Sequence, residues 1–76
     1  MTTEERILIA LVIGPMTSGQ VAKCLQRSTQ KVRKHIFVLR SQGKVMVNHI
    51  NAFTTRKIPA YSLTAKGLTA AKELIS

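Results

Sequence analysis

The 76-residue sequence predicts an α+β fold, in which three short helices are followed by a β-hairpin and a C-terminal helix. Three observations support this order. Apolar residues recur at helical spacing before Gly43, they alternate with polar residues after it, and a Ser or Thr stands at the capping position ahead of each helix. Since 45% of the residues are hydrophobic, the chain can assemble one core, and we expect residues 1–76 to form a single domain.

The predicted elements are bounded by capping and turn residues. Thr2 with Glu5, and Thr17 with Gln20, have the spacing of capping boxes, in which each side chain satisfies an amide at a helix start. Gly43 ends the third helix, where the periodicity changes from helical to alternating. The expected helices span about residues 3–13, 18–25, 28–42 and 65–75, and the expected strands about 45–49 and 58–63. The C-terminal helix is expected to bury Leu68, Ala71, Leu74 and Ile75.

The second and third helices form a helix-turn-helix unit. The turn between these helices, at Gln26 and Arg27, is so short that the chain must change direction sharply. Ala22 is the small residue where the helices cross, and Leu25 and Val32 bridge the pair. With a hairpin as the next element, the order is that of a winged helix-turn-helix: a three-helix core, a β-hairpin wing and a C-terminal helix.

The charge distribution indicates a polyanionic partner. The net charge is +9, and the sequence has no acidic side chain between Glu5 and Glu73. A small domain with so much like charge repels itself unless a partner neutralises it. The single cysteine, Cys24, excludes an intramolecular disulfide, as is typical of a cytoplasmic protein. The apolar run at residues 7–13 is too short to span a bilayer, so we expect no membrane partner.

The third helix, about residues 28–42, carries the expected recognition surface. Val32, Ile36 and Leu39 recur at helical spacing and predict its buried face. The opposite side carries Gln30, Arg33, Lys34, Phe37 and Ser41. Arginine can bond guanine and glutamine can bond adenine in bidentate fashion, while hydroxyls and free amides at a helix start suit phosphate. The expected DNA-binding residues of this helix are Ser28, Thr29, Gln30, Arg33 and Lys34, with Lys31 on the flank as a phosphate contact.

The hairpin supplies the other candidate contacts. The polar stretch 51–57 is expected to form the wing loop, with Arg56 and Lys57 on the DNA backbone or in the minor groove. Lys44, at the root of the hairpin, is expected to contact phosphate. Phe53 in the loop is expected to fold back onto its own hairpin rather than wedge between bases.

Catalysis and metal binding have no support in the sequence. His35 and His49 have no carboxylate or cysteine at a ligand spacing, whereas a metal site needs three or four donors. The stretch between the terminal carboxylates has no carboxylate to serve as general base and no nucleophile–base arrangement. We therefore expect no enzyme, no metal and no cofactor.

Two segments resemble known regulators. The stretch from Gln20-Val21-Ala22 through Ser28 and Val32 to Gly43-Lys44-Val45 resembles the winged-helix bacterial regulators, and most closely the small DNA-binding regulators of fimbrial operons. Tyr61-Ser62-Leu63-Thr64-Ala65-Lys66-Gly67 resembles the close of the wing in multidrug-resistance-type and phenolic-acid-type repressors. Two residues depart from this pattern. Arg27 stands at a position that is usually apolar in the family, and Gln26 stands at a turn position where glycine is common.

The favoured hypothesis is a sequence-specific double-stranded DNA-binding transcription regulator from a prokaryote or phage. Two alternatives stay open: a winged-helix module that binds another protein, and a binder of structured RNA. The apolar excess of the first helix and of residues 36–39 suits either the protein's own core or a homodimer through the first and C-terminal helices. The fimbrial resemblance implies instead a monomer that acts beside a larger DNA-binding protein.

Overall fold

The structure has the predicted winged helix-turn-helix architecture. This computed structural model describes residues 1–51 and 57–76, with the backbone alone for 49–51 and 57. The elements are α1 (Thr3–Leu11), α2 (Ser18–Leu25), α3 (Thr29–Ser41), β1 (Val45–Asn51), β2 (Lys57–Leu63) and α4 (Ala65–Ile75). Three helices are thus followed by one antiparallel hairpin and a C-terminal helix, in the order that the periodicity of the sequence predicts.

The capping boxes form as predicted. The Thr2 hydroxyl accepts the Glu5 amide at 3.2 Å, and the Glu5 carboxylate accepts the Thr2 amide at 2.8 Å. That bond from the Thr2 amide also lowers the pKa of the Glu5 carboxyl. The α1 helix ends at Leu11 rather than at Ile13, because the next turns tighten to bonds three residues apart, with the Gly14 amide 3.2 Å from the Leu11 oxygen.

The core lies where α1, α2 and α3 meet the hairpin and α4. Its largest fully buried side chains are Ile7, Val21, Val32, Ile36 and Leu39, each no more than 2% exposed. Val45 and Ala71 join the same cluster from β1 and α4. Within residues 1–51 and 57–76, every buried side chain whose exposure is known is apolar. None of the helices in that part of the chain has the length and apolarity that a bilayer crossing requires.

The hairpin extends further than predicted. Its register runs from Val45 opposite Leu63 to Asn51 opposite Lys57, so both ends of the predicted 51–57 loop belong to strands. The expectations for Phe53 and Arg56 fall on residues outside the described part of the chain. In addition, the Met16 backbone pairs with Tyr61 through bonds of 3.0 and 2.7 Å, a bridge that no pattern in the sequence predicted.

The C-terminal helix is rotated relative to the predicted face. Ala71 is buried and Leu74 is partly buried, but Leu68 is 38% exposed and Ile75 is 58% exposed. The prediction that Leu68 and Ile75 are buried is therefore wrong. The reason is Gly67, which packs so tightly on the Lys44 carbonyl group that an added Cβ would lie 2.8 Å from its carbon. With Gly67 facing inward, the adjacent Leu68 lies at the edge of the buried face and stays partly exposed.

Candidate nucleic-acid interface

The turn between α2 and α3 is made by three residues, Gln26, Arg27 and Ser28. Gln26 adopts the left-handed conformation, with φ 55° and ψ 44°, and is the single non-glycine residue with positive φ in the described part of the chain. The Arg27 amide then bonds the Ala22 oxygen at 3.0 Å, which closes the end of α2. The Ser28 hydroxyl accepts the Lys31 amide at 3.3 Å and starts α3. Ser28 is thus the N-cap of α3, in line with the Ser or Thr expected ahead of each helix.

The predicted inner and outer faces of α3 are confirmed. Val32, Ile36 and Leu39 are fully buried and fix the rotation of the helix about its axis. The cap and the residues on the outward face are all exposed: Ser28, Thr29, Gln30, Lys31, Arg33 and Lys34. From Ser28 to Lys34 the chain rises by about 9 Å along the helix axis, so the structure brings these six candidate contacts together.

The electrostatics at the start of α3 favour an anion. A helix N-terminus carries a partial positive charge and outward-pointing amides. No acidic residue lies in the first turn of α3, whereas Lys31, Arg33 and Lys34 lie in its first two turns. The backbone and the side chains therefore attract negative charge to the same place.

One flank of α3 faces the hairpin. Arg33, Phe37 and Arg40 stand one helical turn apart and, with Tyr61 of β2, line a surface pocket of about 220 Å³. Phe37 is 69% exposed, so neither α4 nor the described part of the hairpin covers it. Arg40 was not among the candidate contacts, although its spacing of seven residues from Arg33 was visible in the sequence.

The other flank faces the start of α1. Here a cleft of about 430 Å³ is lined by Thr3, Arg27, Lys31, Lys34 and His35. The Nδ1 atom of His35 lies 3.1 Å from the Glu4 carboxylate, which ties α3 to α1 and places one negative charge beside three cations. Arg27 was missed as a candidate contact. Its spacing of four residues before Lys31 was the available signal.

Lys44, the candidate at the root of the hairpin, lies apart from this group. Lys44 is half-buried beyond the C-terminal end of α3, in a surface pocket with Lys66, Thr69 and Glu73 of α4. Since the 13 residues of α3 rise by about 20 Å, Lys44 is far from Ser28. Lys57 begins β2, and Arg56 is outside the described residues. Among the residues that the structure describes, no three His, Cys, Asp or Glu side chains form a cluster that could hold a metal.

The fold and this exposed helix define the class as a winged helix-turn-helix of the kind found in regulators. The zinc-responsive MarR family member ZitR of Lactococcus lactis has a similar structure, with a TM-score of 0.86 and 28% identity over 99% of this chain and 51% of ZitR. The adhesin competence repressor AdcR of Streptococcus pyogenes gives 0.84 and 27% identity over 96% of this chain and 53% of AdcR.

Two similar structures contain DNA. A mutant of ZitR in complex with DNA gives a TM-score of 0.84 and 28% identity over 99% of this chain and 50% of that one. The MepR–DNA complex of S. aureus gives 0.83 and 20% identity over 99% and 61%, which shows the fold alone. The chain spans about half the length of the ZitR and AdcR structures. No family model and no curated protein matches the sequence.

Proposed function

We propose that the chain is a sequence-specific double-stranded DNA-binding regulator of transcription, with residues 1–76 as one DNA-binding domain. The observation that carries the proposal is the outward face of α3. Gln30, Arg33 and Lys34 are exposed there, because the buried residues on the opposite side anchor the helix. The charge of +9 supplies the general attraction to DNA that such a helix needs.

In this proposal α3 occupies the major groove. The groove is about 12 Å wide and a helix with its side chains is about 10–12 Å across, so α3 fits with its outward face against the base edges. Arg33 is placed to bond guanine, and Gln30 to bond adenine. Ser28 and Thr29 at the helix start suit a phosphate.

Phosphate contacts on both sides of the groove complete the interface. A helix in the groove has one phosphate strand along each flank. Lys31 and Arg27 in the α1 cleft suit one strand, and the hairpin acts as the wing on the other side, with Arg56 and Lys57 on the backbone or in the minor groove. The phosphate contact of Lys44 stays a prediction.

The comparisons support this function class. ZitR has been solved with DNA, and AdcR is described as a repressor. We infer from them that the chain is a prokaryotic or phage regulator of the cytoplasm rather than an enzyme. The finer resemblance to fimbrial-operon regulators stays a prediction, since the solved neighbours support winged-helix regulators in general.

Selection of bound sequences from a random duplex pool tests the proposal. We expect an enriched motif, and we expect Arg33→Ala to lose preference at one base pair of it. If five or so cations neutralise phosphates, log affinity falls with log salt at a slope of about −4 to −5. Lys72→Ala, at an exposed position near the end of α4, is the control that removes the same type of charge outside the interface.

The result that would refute the proposal is a pool without enrichment, or Arg33→Ala that binds the selected site like the parent. In the first case, competition between duplex DNA and total RNA tests the structured-RNA alternative. A retained complex on RNA and none on DNA would favour it.

A second candidate function, binding of another protein, has one observation in its favour. Ile13 is 83% exposed, and with Ile9 and Leu25 it lines an apolar groove of about 270 Å³ between α1 and α2. A homodimer through α1 and α4, or a larger DNA-binding partner, would cover such surface. Sedimentation with and without the selected DNA measures the oligomeric state, and a complex without DNA that resists heparin favours this function.

A further inference from the structure

Phe37 is an exposed aromatic side chain in the middle of the proposed DNA-binding face. It follows Gln30 by seven residues, or two helical turns, so both project from the same side of α3. The side chain is 69% exposed, while Ile36 next to it is fully buried. Core packing therefore does not account for a phenyl ring at this position.

Cationic side chains stand on both sides of Phe37 along α3. Arg33 lies one turn before it and Arg40 nearly one turn after it, and both line the same surface pocket. The Ser41 hydroxyl donates a hydrogen bond to the Phe37 carbonyl at 3.0 Å. The ring is thus presented from α3 between two side chains that attract phosphate.

Major-groove chemistry identifies a partner for such a ring. Guanine, cytosine and adenine present hydrogen-bond donors and acceptors there, whereas thymine also presents its C5-methyl group, which apolar side chains contact. We propose that Phe37 packs against a thymine methyl group and specifies an A·T base pair distinct from the pair that faces Gln30. This inference rests on the proposed function, since it requires α3 to lie in the major groove.

The test removes the methyl group alone. In the duplex selected by the parent protein, each thymine is replaced in turn by deoxyuridine, which keeps the base pair and lacks only the methyl. We expect one position at which deoxyuridine weakens the parent about fourfold, the value of one buried methyl group. Phe37→Ala is expected to bind the thymine and deoxyuridine duplexes equally at that position.

Two variants control the experiment. Phe37→Leu keeps an apolar side chain and is expected to retain part of the sensitivity to deoxyuridine. Val38→Ala truncates the neighbouring exposed apolar residue and is expected to retain all of it. Because Phe37 is largely exposed, the thermal midpoint of Phe37→Ala should match that of the parent, which separates loss of recognition from loss of fold.

A parent insensitive to deoxyuridine at every thymine overturns the inference, and so does Phe37→Ala with the full sensitivity of the parent. Both leave the proposed function intact if a motif is enriched and Arg33→Ala relaxes it. A pool without enrichment removes the proposed function and this inference together. Unchanged DNA affinity of Phe37→Ala, with loss of a protein–protein complex, would assign the ring to a protein partner and overturn the inference.

Discussion

The two ends of α3 differ in how they are held. The N-terminal end follows a strained turn, is capped by one Ser28 hydroxyl, and carries exposed cations. The residues just beyond the C-terminal end are held by α4 and its cap. Lys66 donates to the Gln42 oxygen at 2.9 Å, and the Thr64 hydroxyl donates to the Gly43 oxygen at 2.6 Å.

The difference indicates a division of labour along one helix. At the C-terminal end of α3, the fixed end, the backbone oxygens of Gln42 and Gly43 accept hydrogen bonds from a segment more than twenty residues later in the chain. At the N-terminal end, the free end, backbone amides and cationic side chains are available to an anion. Substitutions at the fixed end should therefore change stability, and substitutions at the free end should change binding.

Gly67→Ala should have the largest effect and should act on folding. The added Cβ would meet the backbone carbonyl group of Lys44. Because neither the Cβ nor the carbonyl group can rotate away, the clash forces α4 away from the fixed end of α3. We expect the free energy of unfolding to fall by about 3 kcal/mol or more in urea titration. Gly19→Ala is the matched control, because its Cβ would meet only the Thr17 hydroxyl at 3.9 Å. A Gly67→Ala protein as stable as the parent would contradict the proposed role of the fixed end.

Arg33→Ala should have the next largest effect and should act on binding. We expect a loss of about 1–3 kcal/mol of DNA-binding free energy together with relaxed preference at one base pair. Since Arg33 is exposed, the free energy of unfolding should change by no more than about 0.5 kcal/mol. Titration of the selected duplex and its single-base variants measures the binding. A large loss of stability instead would mean that the free end also supports the fold.

Local signals explain which parts of this helix could be predicted from the sequence. The Ser28 cap and the outward position of Arg33 depend on neighbours within one or two turns, so capping rules and helical phase identify them. The rotation of α4 depends on how Gly67 meets Lys44, residues 23 positions apart, and no periodicity encodes that contact. The Met16 bridge to Tyr61 was missed for the same reason, since one paired residue has no alternation to detect.

The candidate site likewise has one part that local signals predict and one part that they do not. Residues on one face of α3, such as Gln30 and Lys34, were predictable because a helix fixes their relative positions. The α1 cleft was not, because it needs the contact between Glu4 and His35 across 31 positions of sequence to bring Thr3 beside Lys31.

Lys31→Ala should have a smaller and sequence-independent effect. Removal of one phosphate contact lowers the salt slope by about 0.9 and weakens all duplexes alike, by roughly threefold to tenfold at low salt. Salt-dependent titrations on the selected duplex and on a scrambled one measure this change, and Lys72→Ala should leave the slope unchanged. Equal slopes for Lys31→Ala and the parent would remove the α1 cleft from the interface.

Lys44→Ala extends that measurement to the fixed end. The phosphate contact predicted for Lys44 would lower the slope by about 0.9, in which case DNA contacts run along the whole of α3, whereas the division of labour between the two ends predicts an unchanged slope. An unchanged slope confines the interface to the free end and contradicts the prediction for Lys44. The comparison of Lys31 with Lys44 thus locates the DNA along the helix axis.

Gln26→Gly should have the smallest effect and should stabilise the protein. Gln26 is strained because its Cβ crowds the backbone in the left-handed conformation, whereas glycine adopts it freely; part of the gain is lost because glycine also loosens the unfolded chain. We expect a net rise of about 0.5–1 kcal/mol in the free energy of unfolding, with DNA affinity and salt slope unchanged. Lower DNA affinity in the more stable variant would mean that Gln26, rather than the turn alone, belongs to the free end's interface.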